Sequence, residues 1–369
     1  MIWDSFFDDE VGEGGQGYSI WKKVDSKTFQ DPPASEIIFE GYLIKTDAKT
    51  NSQKERFFIL TKEHLIYKKK KQVGNVKGYM DCKFMRVKIF QSAELTPETA
   101  KDVLKIRFVR NLKFCDLFAR NPDEKMVWVN RLSKIMVRTD FHERFKVKRS
   151  LGEGSFAKVY LATRLEDNLE VAVKAFSKEA LTKQSKGKQA IRNEIEILQE
   201  LDQDNVLHLF EVQESKNSLY LICEYLSGGS LNDLLKRSED YLSATTVLVI
   251  MQGILQGLAY LDSKSYIHRD LKPENIMLKG PEGPDMTSSN FKICDFGLAT
   301  KVNTDSYLYK RCGTPGYVAP EIVKANSSDP NFKVTSKCDI FSAGIIMYLL
   351  LSSSMSNGQL EILHSTPTI

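Results

Sequence analysis

The chain has 369 residues, of which 42% are hydrophobic and 27% charged, and its formal net charge is +4. This length leaves room for two domains, and so small a charge does not by itself argue for nucleic-acid binding. The six cysteines form no C-x-x-C pair, which argues against a zinc cluster or disulfide framework and favours a reducing, intracellular setting. No apolar run approaches the length of a spanning helix, and the N-terminus is acidic where a signal peptide would be basic. We expect a monomer that is cytoplasmic or peripheral to a membrane, with no transmembrane segment and no nucleic-acid partner.

Residues 1–36 are expected to be flexible, because Asp4–Gly17 is acidic and rich in glycine. From Ile37 onward the chain shows short β-branched and aromatic runs separated by turn residues, which predicts a small antiparallel sheet. The predicted strands are 37–39, 42–44, 56–60, 64–67, 84–90, 103–109 and 114–118.

One helix is expected to close this sheet. Asn121 and Pro122 indicate its start, and two acidic residues follow in the first turn, where the helix dipole favours them. We therefore expect a small antiparallel β-barrel or sandwich capped by one helix. The predicted buried face of the helix holds Val127, Trp128, Leu132 and Ile135.

Over residues 37–138 this half resembles a pleckstrin-homology domain. The resemblance rests on the segments 40–45 and 54–60, in this order and spacing, and on Trp128 in the terminal helix. It implies a domain that binds a phosphoinositide membrane surface.

The basic residues of the first strands match the lipid-binding members of that family. In those members a lysine ends the first strand, and a Lys/Arg-x-Arg sequence lies on the second strand. Lys45, Lys54 and Arg56 match this arrangement. Such cations converge on one loop mouth, where phosphates accept charge-assisted hydrogen bonds, and Tyr67 and Lys68 would assist them. The alternative is that these side chains occupy the solvent face of an alternating strand.

The second half carries five motifs in a fixed order. They are Leu-Gly-Glu-Gly-Ser-Phe-Ala-Lys-Val at 151–159, Val-Ala-Val-Lys at 171–174, His-Arg-Asp-Leu-Lys-Pro-Glu-Asn at 268–275, Asp-Phe-Gly at 295–297 and Ala-Pro-Glu at 319–321. With these motifs the chain resembles a eukaryotic serine/threonine protein kinase, of the calcium/calmodulin type or AGC-like. The resemblance implies a bilobal domain from residue 139 to 369, with ATP and Mg²⁺ as cofactors and a protein as substrate. The whole chain is then a multidomain α+β protein.

The resemblance also implies how the nucleotide is held. Glycines let the loop backbone approach the ATP phosphates, and Lys174, paired with Glu194, grips them. Ala157 stands where the family usually has a third glycine. The implied nucleotide-binding set is Leu151, Gly152, Gly154, Ser155, Val159, Ala172, Lys174, Glu224 and Leu226.

The catalytic residues follow from the same resemblance. Asp270 would accept the proton of the substrate hydroxyl, while Asn275 and Asp295 would hold magnesium. Lys272 is the residue that serine/threonine kinases place beside the transferred phosphoryl group, which sets the substrate class. Thr314 is expected to bond Asp270 and Lys272.

The activation loop lacks the family's usual phosphate acceptor. Arg269 would normally bind a phosphate there, but the position that cyclic-nucleotide-dependent kinases phosphorylate is Lys310, a cation. Thr304, Ser306 and Tyr309 are alternative acceptors. We favour the other alternative, a loop that needs no phosphate.

The sequence departs from the family after the helix predicted at 336–351. Only residues 352–369 follow where a kinase has further helices, so we expect a complete small lobe and a large lobe that ends after this helix and leaves its apolar side chains exposed. Our leading hypothesis is ATP-dependent phosphorylation of serine or threonine in proteins by a kinase that phosphoinositides recruit to membranes. The alternatives are a catalytically impaired adaptor that binds lipid and nucleotide, and an incomplete copy of a longer sequence.

Overall fold

The computed structural model describes residues 6–7, 20–24, 31–46, 52–72, 75–90, 103–111, 113–154, 157–237, 242–283, 285–302, 307–324 and 333–352. They fall into two compact units. Unit one comprises Met1–Glu179 with Phe210–Ile222, and unit two comprises Ala180–Leu209 with Cys223–Ile369. Strands and helices are mixed, as the α+β expectation requires, with one large sheet in unit one.

The first strands of unit one form an antiparallel sheet in the order β1-β5-β4-β3-β2-β8-β7-β6. The predicted division between the runs 37–39 and 42–44 is wrong, because Phe39 and residues 42–44 belong to one strand that continues through Gly41, while Ile37 and Ile38 precede it. Gly41 marks no turn; a Cβ there would meet the Trp128 ring at 3.4 Å. The strands are β1 Lys22–Lys23, β2 Phe39–Thr46, β3 Gln53–Leu60, β4 His64–Lys68, β5 Gly78–Asp81, β6 Arg86–Ile89, β7 Lys105–Arg110 and β8 Lys113–Phe118.

Helix α1, Pro122–Ser133, packs on this sheet. Asn121 caps it by accepting the Glu124 N–H at 2.8 Å, as the sequence indicated. Trp128 is only 2% exposed and meets the rings of Phe39 and Phe58 edge-on. The prediction that Val127 is buried is wrong, since it is 44% exposed, and Val129 packs in the core instead.

The second half of unit one continues the same sheet. The residues just before Phe141 include a strand, β9, that pairs in parallel with both β6 and β13. The sheet then runs in the order β9-β13-β14-β12-β11-β10. The elements are β9 Val137–Arg138, α2 Phe141–Arg144, β10 Phe145–Glu153, β11 Ala157–Arg164, β12 Glu170–Ser177, α3 Lys178–Lys183, α4 Gly187–Glu200, β13 Leu209–Glu214 and β14 Ser218–Glu224; α3, β13 and β14 continue into unit two, to which α4 belongs.

Unit two is mostly helical, with two short antiparallel strand pairs, β15 with β18 and β16 with β17. Helix α6 is long and apolar enough to cross a membrane by length and composition, a test that buried core helices also pass. Its side chains Ile250, Ile254 and Leu261 are at most 1% exposed. The remaining elements are α5 Leu231–Arg237, α6 Ala244–Ser263, β15 Tyr266–Ile267, β16 Ile276–Leu278, β17 Phe291–Ile293, β18 Thr300–Lys301, α7 Pro320–Val323 and α8 Lys337–Ser352.

Helix α8 corresponds to the helix predicted at 336–351. One side is buried through Ala343, Ile346 and Leu350. Other apolar side chains of α8 are more than a third exposed in the described part of the chain. They are Ile340, Phe341, Met347, Tyr348 and Leu351.

Candidate active site

The loop 268–275 between β15 and β16 is hydrogen-bonded to a side chain of α8. Asp339 accepts the backbone N–H groups of His268 at 2.7 Å and of Arg269 at 2.8 Å. These bonds fix Arg269 in the left-handed region, at φ 69°. Burial raises the pKa of Asp339, which the two N–H bonds counteract. The buried His268 ring packs edge-on against Phe296, 5.1 Å away.

Four side chains meet at the surface of this loop. Thr314 Oγ1 donates to Asp270 Oδ1 at 2.6 Å and accepts from Lys272 Nζ at 2.8 Å. The Lys272 ammonium lies 3.0 Å from Asp270 Oδ2. Asn275 Nδ2 donates to the Asp270 carbonyl at 2.8 Å and to its carboxylate at 3.3 Å. A carboxylate, an ammonium and two neutral hydrogen-bonding groups thus converge, a set suited to orienting a hydroxyl and stabilising an anion.

Asn275 and Asp295, the predicted magnesium ligands, both carry side-chain oxygen atoms. The Cys294 N–H donates to the Asn275 carbonyl at 2.8 Å, which places Asp295 beside the loop. Because Asn275 Nδ2 is committed to Asp270, its Oδ1 is the atom left to accept or coordinate, and amide and carboxylate oxygens suit Mg²⁺. No cluster of three His, Cys, Asp or Glu side chains fit for a metal exists in the described residues. Magnesium there would need phosphate and water oxygens as well.

Glu194, on α4, approaches the same region of unit two. Its side chain is buried, and a Cβ built at Gly297 would lie 3.8 Å from Glu194 Oε2 and 3.5 Å from Asp295 Oδ1. The partner that the sequence assigns to Glu194, Lys174, belongs to unit one. That ion pair therefore stays a prediction.

The predicted nucleotide-binding residues of unit one that the structure describes lie on strands β10 to β12 and at their turn. Val159 is directly opposite Gly152 on one side and Lys174 on the other. Directly opposed residues share a face of the sheet, so these three face one way. Ala172, opposite Leu161, shares that face.

The turn between β10 and β11 is closed by the Gly154 N–H, which donates to the Ala157 carbonyl at 2.8 Å. A Cβ at Gly152 would meet no atom within 4 Å, so the space above the strand is open. Leu151 lies at the end of β10, half-buried. Ser155 lies outside the described residues.

Glu224 is the last residue of β14, and Leu226 lies just after this strand. Glu224 Oε1 accepts the His208 N–H at 2.7 Å and lies 2.6 Å from Lys292 Nζ. Leu226 is buried, and the next residues are tied to β16, since Gly228 N–H donates to the Leu278 carbonyl. The Glu224 side chain and the backbone that follows Leu226 are thus both held in place by hydrogen bonds.

The activation segment is held through its backbone. Arg269 donates from Nε to the Leu298 carbonyl at 2.8 Å and from Nη1 to the Tyr309 carbonyl at 2.6 Å. Lys186 Nζ donates to the Leu308 carbonyl at 2.6 Å and lies 5.2 Å from the Tyr309 ring. Thr304 and Ser306 lie outside the described residues.

The three predicted lipid-binding cations share one face of the sheet in unit one. Lys45 lies directly opposite Lys54, and Leu43 lies opposite Arg56. Lys45 Nζ is 5.4 Å from the ring centroids of both Trp21 and Tyr67. The three cations therefore gather at one end of β2 and β3, a group called here the cationic mouth.

Lys68 does not fit the role of assisting residue that the sequence gave it. It is 7% exposed and pairs with Asp31. A buried, paired ammonium is not offered to a ligand in solution.

A family model for the protein kinase domain matches residues 145–361, more than half of the chain. The chain belongs to the protein kinase family. A model for the PH domain matches residues 37–137, so an N-terminal pleckstrin-homology domain precedes the kinase domain.

Curated relatives match over the kinase domain. CBL-interacting protein kinase 26 of Oryza sativa is 37% identical over 218 residues, 58% of this chain and 41% of the relative. Calcium-dependent protein kinase 4 of Plasmodium berghei is 35% identical over 212 residues, 58% of this chain and 38% of the relative. Serine/threonine-protein kinase ULK1 of Homo sapiens is 38% identical over 211 residues, 56% of this chain and 19% of the relative. The chain thus spans less than half the length of each of these three.

The sequence analysis missed two lysines of the kinase domain that hold backbone segments of the candidate site in place. Lys292 is 4% exposed and binds both Glu224 and the Val206 carbonyl. Its place inside the apolar strand β17 was the available signal, because a buried lysine requires partners. Lys186, which holds the activation segment, had no signal, because its partner, the Leu308 carbonyl, lies 122 residues later in the chain.

Proposed function

We propose that this protein transfers the γ-phosphoryl group of ATP to serine or threonine hydroxyls of protein substrates. The observation that carries the proposal is the hydrogen-bonded set of Asp270, Lys272, Asn275 and Thr314. Asp270 accepts the hydroxyl proton and orients the nucleophile, and Lys272 offsets negative charge on the group in transfer. Asn275 keeps the Asp270 carboxylate in place through its amide.

The other proposed residues bind and position the nucleotide. The Leu151–Val159 hairpin offers backbone N–H groups to phosphates, and Lys174 with Glu194 grips them. Adenine would bond the Glu224 carbonyl and the Leu226 amide, with Ala172 and Val159 against its face. Magnesium, held by Asn275 and Asp295, would neutralise phosphate charge.

Phosphate transfer from labelled ATP to a generic basic protein tests this function. The intact chain is expected to label the acceptor, and Asp295→Ala is expected to abolish labelling because it removes a cation ligand. Asp123→Ala, in the first turn of α1, is the matched control and should label like the wild type. Incorporation by the intact chain no higher than that of Asp295→Ala refutes the transferase proposal.

The exposed apolar side chains of α8 favour a second candidate, an adaptor that binds nucleotide without turnover and uses this surface to bind a partner protein. Under this candidate ATP with magnesium raises the melting temperature of the chain, and no acceptor is labelled. Turnover abolished by Asp295→Ala excludes it.

We further propose that the pleckstrin-homology domain, a small barrel capped by α1, recruits the kinase from the cytoplasm to phosphoinositide membranes. The cationic mouth supports this, because Lys45, Lys54 and Arg56 share one face at one end of adjacent strands. We take the domain limits as 37–138 and 139–369, preceded by 1–36, and the protein as a monomer.

Sedimentation with vesicles that contain anionic inositides tests the mouth. Lys45→Ala/Arg56→Ala should bind more weakly, since two phosphate contacts are lost. Lys69→Ala/Lys70→Ala removes the same charge from exposed positions and should retain most binding. Equal binding by the two double variants would remove the assignment.

A further inference from the structure

Strand β9 belongs to both domains of unit one. Val137 pairs in parallel with Arg86 of β6, in the pleckstrin-homology domain, and with Val212 of β13, in the kinase domain. Both residues of β9 are at most 4% exposed. The strands of the two domains thus form one continuous sheet, in which β9 has no open edge.

A buried charge network surrounds this strand. Arg138 Nε donates to Asp140 Oδ1 at 3.0 Å, and its Nη1 lies 3.9 Å from Glu211 Oε2 on β13. Gln213 donates to Asp140 at 3.2 Å and to Glu211 at 2.8 Å. All four side chains are at most 6% exposed. Charges taken this far out of water persist only while each keeps its partners.

Residues 6–7 make a second bridge between the same two domains. The Phe6 N–H donates at 2.7 Å to Oε1 of Glu214 in the kinase domain, a carboxylate that also lies 2.6 Å from Lys178 Nζ. The Phe7 ring stacks at 4.2 Å on Phe84 of the pleckstrin-homology domain. Glu214 is fully buried and Phe7 is 2% exposed. This bridge is independent of β9, because it comes from a different part of the chain.

We propose that strand β13 of the kinase domain is the permanent docking surface of the pleckstrin-homology domain, so that the two open and unfold as one cooperative unit. A domain on a tether keeps its linker charges in water and its interface polar and small. Here the connecting segment is a central strand, and its charges are desolvated against β13.

The docking carries a consequence for orientation. The cationic mouth and the nucleotide-binding strands β10 to β12 belong to the same unit. A membrane bound at the mouth therefore sets the orientation of those strands as well. This consequence rests on the proposed lipid binding, whereas the docking does not.

Hydrogen exchange of the full chain, read by mass spectrometry, tests the docking. Arg138→Met keeps the side-chain length but leaves Asp140 and Glu211 buried without that cation. We expect exchange to accelerate on the order of 100-fold or more in β7–β8 and in β11–β12 alike. Arg120→Met, which removes an exposed pair with Glu55, should change either region less than about fivefold.

Acceleration confined to one of the two regions, or absent from both, overturns the proposal. Should Arg138→Met not fold, Phe7→Ala is read by the same criterion, because it loosens the second bridge without burying an unpaired charge. Joint acceleration in both regions by Phe7→Ala supports the docking, and acceleration of one alone overturns it. Vesicle binding is not involved, so failure of the lipid proposal leaves this result unaffected.

Discussion

Thr314→Val isolates one part of the proposed catalytic set. The substitution nearly preserves volume but removes the hydroxyl that donates to Asp270 at 2.6 Å and accepts from Lys272 at 2.8 Å. A hydrogen bond to a charged group contributes about 1.5–3 kcal/mol. If that energy holds the carboxylate in its reactive orientation, its loss corresponds to about 10- to 150-fold in rate. The direct Lys272–Asp270 contact remains, so we expect the lower part of this range.

Initial rates at varied ATP and acceptor concentrations measure the effect as kcat and KM. Thr314→Val should lower kcat with little change in KM for ATP, because the hydroxyl bonds Asp270 and Lys272, whose proposed roles are in the transfer step. Thr314→Ser restores the hydroxyl and should recover activity to within about threefold of the wild type. A Val variant as fast as the wild type, or a Ser variant as slow as Val, refutes the role given to this hydroxyl.

Three further predictions concern stability and regulation. Trp128→Ala should lower the free energy of unfolding in urea by about 3–5 kcal/mol, whereas Val127→Ala on the exposed side should change it little. Thr304→Ala/Ser306→Ala and phosphatase treatment should leave kcat within about twofold, because carbonyl bonds hold the activation segment; a larger loss contradicts this. Hydrogen bonding to His64, then to Lys22, lowers the pKa of Asp81 from 3.8 to about 2. The stabilisation it gives is therefore present above pH 3.8 and lost as pH falls towards about 2, so the unfolding curves of wild type and Asp81→Asn should converge over that range.

The predictable part of the fold was local. The cap at Asn121 and the runs that became β3, β4 and β8 depend on neighbours in sequence, and the structure has them within a few residues. The run 42–44 was predicted as a separate strand because glycine is a common turn residue, whereas the strand continues through Gly41 and packs against Trp128, which comes from far along the chain. The prediction that Val127 is buried was wrong because the buried face of the helix is the one that packs on the sheet. Apolar character alone does not decide between Val127 and Val129.

The candidate site divides in the same way. Asp270, Lys272 and Asn275 lie in one short loop, so their order in sequence already implied their proximity. The support beneath that loop comes from Asp339, 71 residues beyond His268, and its strength depends on burial. The buried Lys292 is similar, since its function is decided by a carboxylate on a different strand. The sequence identified the proposed catalytic side chains but not most of the residues that hold those side chains in position.

The residues between the two domains show that charged side chains alone do not identify an exposed linker. Arg138 and Asp140 follow a helix and precede a new domain, a position that predicts exposed, mobile residues. The rule fails because Glu211 and Gln213, more than 70 residues later, supply partners that let both charges be buried. Two domains with such a connection share their stability, so we expect a substitution at β13 to act on the pleckstrin-homology domain as directly as on the kinase domain. The two domains would have separate stabilities only if the charge network were exposed to water. None of its four side chains is more than 6% exposed.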